Sequence, residues 1–467
     1  MGIKQEYLRT GKNMKIILTI IMLLFASPLW ATPYYVDCNA DAGGDGTTQE
    51  TTGGSCAWDT LSDVNGASFN PGDTIYFNRG CTWSGLLDIP SPGDTDDQLV
   101  FSAYGEGALP IIDGTGGGAD TNTVTMNEDY VTLEYLNIKN GKRNNIGHAN
   151  AADYCIIQYC VVEGAYRQGI YMGQSDAANA EHWTIQYNTF QNNGTSTTLD
   201  HGIYIKWAND WLIQGNLLDS NATFGVYLNG TTDCVVRYNY STGHNPGGFL
   251  EMLENNAGGS TGSHIYGNVS YDDRKFMYVS GANHSNNYVY NNTASEFAYS
   301  ALAMENSGDL TSVKNNIFYS TVADSRVYAS HSGCLISSSS NNILKGDASI
   351  RYNDSYYATL ALFQSGTSLE TDSLDSDPVF TTIGSDFTLQ VTSPAIDEGV
   401  NLGTSYDDAL DPDSSWPDSV ALLDQNLHGT GWEIGAFVYE DAAPEPTVGI
   451  SAGSGTISAG SGSIAAQ

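Results

Sequence analysis

Between Tyr130 and Leu344 one short pattern of apolar and polar positions returns nine times. Each copy has an apolar or aromatic residue, a β-branched or Leu residue, one or two variable positions, then usually Asn and a second apolar pair. The copies read VTLEYLNI, CIIQYCVV, WTIQYNTF, WLIQGNLL, CVVRYNYS, SHIYGNVS, NYVYNNTA, TSVKNNIF and SSSNNIL. Aligned on the Asn, the repeated position is Leu136, Cys160, Asn188, Asn216, Asn239, Asn268, Asn292, Asn316 and Asn342, spaced by 24, 28, 28, 23, 29, 24, 24 and 26 residues. Short alternating runs predict strands, and this period predicts stacked units too β-rich for helical repeats. The expected fold is all-β, a right-handed parallel β-helix.

Coil-to-coil spacing explains the repeated residue. Equivalent residues one coil apart sit about 4.8 Å from each other, so seven Asn in one column can bond amide to amide up the stack. Asn also tolerates the left-handed backbone of a sharp turn. A second column, Gly169-Ile170-Tyr171, Gly202-Ile203-Tyr204 and Gly225-Val226-Tyr227, continues in Gly248-Phe249-Leu250 and keeps the same register.

The flanks read differently. In residues 1–31, Lys4, Arg9, Lys12 and Lys15 precede an apolar run from Ile16 to Phe25 and the segment Ala26 to Ala31, the pattern of a secretory signal peptide. That run is short of the ~20 residues a membrane span needs, so no membrane insertion of the mature chain is expected. Residues 32–115 read as an N-terminal cap with the first coils and 116–345 as the repeats. Residues 346–440 read as irregular C-terminal coils and a cap. Residues 441–467 form a Gly/Ser-rich tail with the echo ISAGSGT ISAGSGS.

Charge narrows the partners. Without the leader, 13 basic residues face 52 acidic ones, a balance that disfavours nucleic acid and anionic lipid and suits an extracellular setting. Of seven cysteines, Cys38 and Cys56 bracket a Gly/Thr-rich loop and are the expected disulfide, with Cys81 as competitor. Cys155 and Cys234 lie three coils apart, roughly 14 Å, beyond bridging distance. Cys160 replaces Asn in the ladder, and no zinc-ligand spacing is present.

VVRYNYSTGHNPGGFLE followed by YGNVSYDD and VYNNT resembles a recurrent core of secreted β-helix proteins of the pectate-lyase-like superfamily. SPAIDEGVNLG with IGAFVYE resembles the C-terminal region of β-helix proteins that carry a sorting anchor. The resemblance implies the fold, an extracellular polysaccharide as partner, and secreted or cell-surface localisation. Superfamily members include polysaccharide lyases, glycoside hydrolases, epimerases, tailspikes and adhesins, and fold does not choose among them.

A lyase needs a base for the proton α to a uronate carboxylate and a cation to neutralise that carboxylate; the resemblance implies Lys or Arg in the first role, often with Ca2+. Lys206 is the first candidate base, because alternation in the strand around Ile203 and Ile205 turns Tyr204 and Lys206 outward. Arg167 is the candidate neutralising group, His201 a proton relay, and Asp200 the residue stacking beside Arg167 and Arg143. Tyr171, Tyr204 and Tyr227 are candidate stacking residues, with Arg143, Glu251, Arg274 and Lys275 as further substrate contacts. Each has a plainer reading as an ion pair, a solvated strand residue or an aromatic stack.

A hydrolase instead needs two carboxylates about 5–9 Å apart, for which Glu251, Glu254, Asp272 and Asp273 are candidates. The Asp-Asp motif of polygalacturonases is missing. For Ca2+ the candidate ligands are Asp407, Asp408, Asp411 and Asp413, with Asp94, Asp96 and Asp97 as a second acidic loop; no organic cofactor is expected. Cleavage by β-elimination is the leading reading, followed by hydrolysis and then a non-catalytic adhesin, sheath or tailspike-like role.

Overall fold

A computed structural model describes residues 31–148, 152–173, 180–254 and 258–440. The expected leader, apart from Ala31, and the Gly/Ser tail lie outside the described residues. The chain winds through three long sheets, visiting them in the same order on every coil. The first sheet runs over 12 strands from Pro33–Val36 to Leu335–Ser340, and the second over 11 from Thr82–Ser84 to Ile343–Lys345. The third runs over 12 strands from Leu87–Asp88 to Ser355–Tyr357. Pairing between coils is parallel until the last pair of the third sheet, Ile350–Tyr352 with Ser355–Tyr357, which is antiparallel.

Apolar residues of all three sheets fill the inside. Ile185, Ile203, Ile205, Ile213, Val236 and Ile265 are each fully buried, and Trp183 stacks on Trp211 one coil on at 4.9 Å. The Asn column forms the expected ladder at the turn from the first to the second sheet. Asn216, for example, donates through its side-chain amide to Asn239 Oδ1 at 2.9 Å, and its backbone N–H reaches the same oxygen at 3.0 Å. The left-handed residue is not the ladder Asn but the one before it: Tyr187, Gly215, Tyr238, Gly267, Asn291 and Asn315 all have positive φ. That residue makes the corner, which leaves the ladder amide pointing inward. At the far end Asn342 donates to the buried Glu370, whose carboxyl burial pushes above its ordinary range.

A second inner ladder follows the turn from the second to the third sheet. Asn145, Asn193, Asn221, His244 and Asp273 bond in series at 2.8–3.1 Å. A helix, Leu61–Gly66, started by the capping box of Thr60 and Asp63, covers the first coil. The disulfide joins Cys38 to Cys81, not to Cys56, which is buried and free. Register decides the pairing, because Asn78 of the neighbouring strand also bonds Asp37, and this brings the two sulfur positions together. After the helix Leu360–Thr367 the chain folds back along the outside. Trp416 donates to the Tyr238 carbonyl, Tyr238 to the Asp408 carbonyl, and Gly435 to the Asn315 carbonyl. The first-to-second turns are thereby covered, and the outer face of the third sheet stays open. Among the described residues no helix is long and apolar enough to cross a membrane.

Candidate functional site

On the third sheet alternation sends every second side chain outward. One outward column reads Tyr171, Tyr204, Tyr227, Glu251 and Tyr278 on successive coils. Its upper part is not a flat platform. Tyr204 packs edge-to-face on Tyr171 and Tyr227 with centroids 5.2 and 4.4 Å away. Tyr227 is only 6 % exposed. His201 lies beneath, stacked on Tyr227 at 4.4 Å, and burial, with His244 nearby, holds its pKa down to about 3. His201 is buried under Tyr227, and its Nδ1 has no hydrogen-bond partner among the described residues, so no hydrogen-bond path leads from the ring's Nδ1 to a ligand on the outer face, as the relay expected of it requires.

Beside the upper column is a cleft of about 390 Å³, lined among others by Arg143, Arg167, Tyr171, Asp200 and Tyr204. Five sequence candidates thus come together. Asp200, however, is buried and accepts from the Thr195 and Ser196 amides at 3.0 and 2.7 Å, so its carboxylate shapes a turn and does not pair with Arg167. Lys206 does face outward, as alternation predicts, but its ammonium rests 3.8 Å from the Trp207 ring centroid and does not line the cleft.

The lower part of the face holds the stronger chemistry. The Lys275 ammonium sits 5.5–5.7 Å from the centroids of Phe224, Tyr278 and Tyr299. Lys275 and Arg274 both donate to the Pro246 carbonyl at 3.3 Å, so their nitrogens are close together. Burial first, then the Arg274 charge, lowers the Lys275 pKa to about 8, against the opposing pull of Glu251 and Glu305. Glu251, 8 % exposed, is pushed up to about 8 by burial, partly offset by Lys275. Both groups are therefore held towards their neutral forms. Next to them Tyr278 donates to Glu305 at 3.0 Å, Glu305 lies 3.4 Å from His331, and His331 meets Arg351 at 2.9 Å.

Tyr278, Glu305, His331, Phe224 and Tyr299 are absent from the sequence candidates. Continuing the Tyr204–Tyr227 column by register would have reached Tyr278. Charge is also segregated. Of the 13 basic residues outside the leader, Lys142, Arg143, Arg167, Lys206, Arg274, Lys275, Arg326 and Arg351 lie on strands of the third sheet or on the segments entering them.

Two further expectations change. Asp273 is fully buried and accepts from His244, Ser241 and Ser270, so it cannot act on a substrate, while Asp272 is exposed at a left-handed turn. Glu254 accepts from Asn283 at 2.7 Å in an exposed loop. Asp407, Asp408, Asp411 and Asp413 do not converge. Among the described residues the one group of three potential ligand atoms within 4.8 Å is Asp37, Cys38 and Cys81, whose sulfurs form the disulfide. Among the described residues the four aspartates therefore form no such cluster, and no step below uses calcium.

The family profile described as "Right handed beta helix region" matches residues 122–294. The fold is a right-handed parallel β-helix. Among solved structures it is similar to the lacto-N-biosidase GH136 of Eubacterium ramulus, with a TM-score of 0.53 and 14% identity over 67% of this chain and 63% of that one. The chain thus spans less than two thirds of that β-helix protein's length. It is also similar to XylC in complex with xylose, with a TM-score of 0.51 and 12% identity over 64% of this chain and 70% of that one. Pectate lyase Pel9A aligns over 88% of this chain and 96% of its own with a TM-score of 0.47 and 13% identity. No curated protein sequence matches the chain significantly. The β-helix is shared; identities this low carry no reaction with them.

Proposed function

We propose that this is an exported carbohydrate-active β-helix that cleaves an acidic polysaccharide by β-elimination on the outer face of the third sheet. The observation that carries the reading is the convergence of Lys275 and Arg274 on the Pro246 carbonyl, beside Glu251. Arg274 binds the uronate carboxylate and stabilises the charge that grows on it as the α proton leaves. Lys275, kept partly neutral by its aromatic surroundings and by Arg274, takes that proton. Glu251, kept protonated by burial, gives a proton to the departing glycosidic oxygen. The exposed Arg143 and Arg167 hold neighbouring acidic units along the coils. Within the general acid–base scheme, this moves the base from Lys206 to Lys275.

The test is a panel of acidic and neutral polysaccharides, followed by ultraviolet absorbance of unsaturated products and by reducing ends. Lys275→Ala is expected to lower turnover per folded molecule by about 10²–10⁴-fold, and Lys206→Ala by less than about threefold. Unsaturated product formed at the parental rate by Lys275→Ala would sink the assignment. The raised Glu251, with Glu305 two coils away along the same face, favours hydrolysis as the second reading. In that case reducing ends would appear without unsaturation. No product from any glycan would move the reading to a non-catalytic surface protein.

A further inference from the structure

A second cavity lies on another face of the coil. The left-handed residues that lead into the first sheet form a column, His182, Asp210, Asp233, Gly262 and Asn286, with φ from 52° to 70°. At Gly262 the column loses its side chain, and a Cβ there would stand 1.9 Å from Asp233 Oδ1. The Asp233 carboxylate takes that place, and the pocket beside it opens onto His264 and Tyr288, which are register partners across the first sheet and stack at 4.9 Å. From the C-terminal segment Leu402 and Tyr406 close the other side, the Tyr406 hydroxyl bonding His264 Nδ1. The cavity measures about 500 Å³, within the size range of small-molecule sites.

Its chemistry differs from that of the groove. Asp233, Asn286 and Thr261 set polar groups at the lip, Tyr288 and Tyr406 give an aromatic wall, and neither Lys nor Arg lines it. An anionic ligand would meet the Asp233 carboxylate with nothing to balance it. A ligand with one apolar ring face and many hydroxyls meets an aromatic wall and oxygen acceptors together. We propose that this cavity is a second, non-catalytic site for a neutral sugar unit. It stands on residues of the first sheet and the C-terminal segment, and holds whether or not the groove cleaves its substrate. Bound together with the groove, it would raise the affinity for a mixed polymer by avidity.

The experiment is titration calorimetry of the mature chain carrying Lys275→Ala, with neutral gluco-, xylo-, manno- and galacto-oligosaccharides as probes. At least one series is expected to bind, and Tyr288→Ala to weaken it by about tenfold, the size of a lost aromatic contact. Gly262→Asn should weaken it similarly, because Asn accepts the left-handed backbone and its side chain displaces the Asp233 carboxylate at the lip; affinities of both variants are compared per folded molecule, the folded fraction being read by circular dichroism. Arg167→Ala, in the groove, should leave this binding unchanged. The proposal is overturned if no neutral series binds, or if binding persists at parental strength in both Tyr288→Ala and Gly262→Asn.

Discussion

The turn between the first and second sheets and the outer face of the third sheet are built on the same coil spacing, yet they treat it in opposite ways. At the turn seven successive coils repeat one residue, because each Asn from Asn188 to Asn316 has the Asn of the next coil as its partner. On the outer face the column changes from Tyr171, Tyr204 and Tyr227 to Glu251 and back to Tyr278. Where a side chain bonds its own copy, repetition lowers the energy of every member. Where chemistry needs unlike neighbours, such as a lysine beside an arginine and a buried carboxyl, the repeat has to break. In this coil the proposed site lies at that break.

The sharpest way to break the comparison is to damage the ladder and leave the face alone. Asn239 accepts from the Asn216 amide and backbone N–H at 2.9 and 3.0 Å, and donates to Asn268 and to the Ile213 carbonyl. Asn239→Ala leaves several of these buried groups unpaired and should cost on the order of 3 kcal/mol or more. The midpoint of urea unfolding would show it, while turnover per folded molecule stays at the parental level. A loss below about 1 kcal/mol would mean that packing of the inner Ile and Val, and not the amides, sets the register.

Legibility in the sequence follows the same division. The Asn column and the inward Ile203 and Ile205 could be read because the same residue recurs in the same local pattern every 23 to 29 residues and apolar residues alternate along the strand. The second inner ladder could not, since Asn221, His244 and Asp273 are three residue types doing one job, although each lies five residues after a ladder Asn. Cys38 and Cys81 are 43 residues apart and meet only once the first strands are in register. Outward orientation was legible by alternation for Lys206 but not for Lys275, which alternation in Lys275–Ser280 groups with the buried Met277 and Val279. What set the two apart was the surroundings supplied by other coils: one ring beside Lys206, but three rings, Arg274 and Glu251 around Lys275.

A pH experiment sharpens the face itself. The folded chain keeps the Glu251 proton to about pH 8, whereas the unfolded chain gives it up near the ordinary value of 4.5. Its contribution is therefore complete at acid pH and is lost as pH rises through that window. Lys275 acts in the next window: the folded chain releases its proton near 8 and the unfolded chain near 10.5, so stability is regained as pH rises further. Glu251→Gln should flatten the fall between pH 5 and 8 by on the order of 2 kcal/mol, measured as the difference between variant and parent. Glu370, buried in both proteins, cancels in that difference. An offset equal at both pH values would mean that Glu251 is ionised in the folded protein.

The smallest predicted effect asks whether the lower column is chemistry or packing. Tyr278 carries Lys275 over its ring, with a 5.5 Å separation, and its hydroxyl donates to Glu305 at 3.0 Å. Tyr278→Phe keeps the ring and removes the hydroxyl, so Glu305 is held only from the His331 side. A freer Glu305 carboxylate favours the charged form of Lys275, which raises the pH at which the base becomes neutral. The expected outcome is a fall in kcat/KM of about fivefold, the worth of one hydrogen bond. The alkaline-rising limb of the pH–rate profile should move up by less than about one pH unit. A structural tyrosine would lower stability and leave that limb in place. If the profile does not move, Tyr278 belongs with the stacked rings of the upper column, and the working part of the face shrinks to Arg274, Lys275 and Glu251.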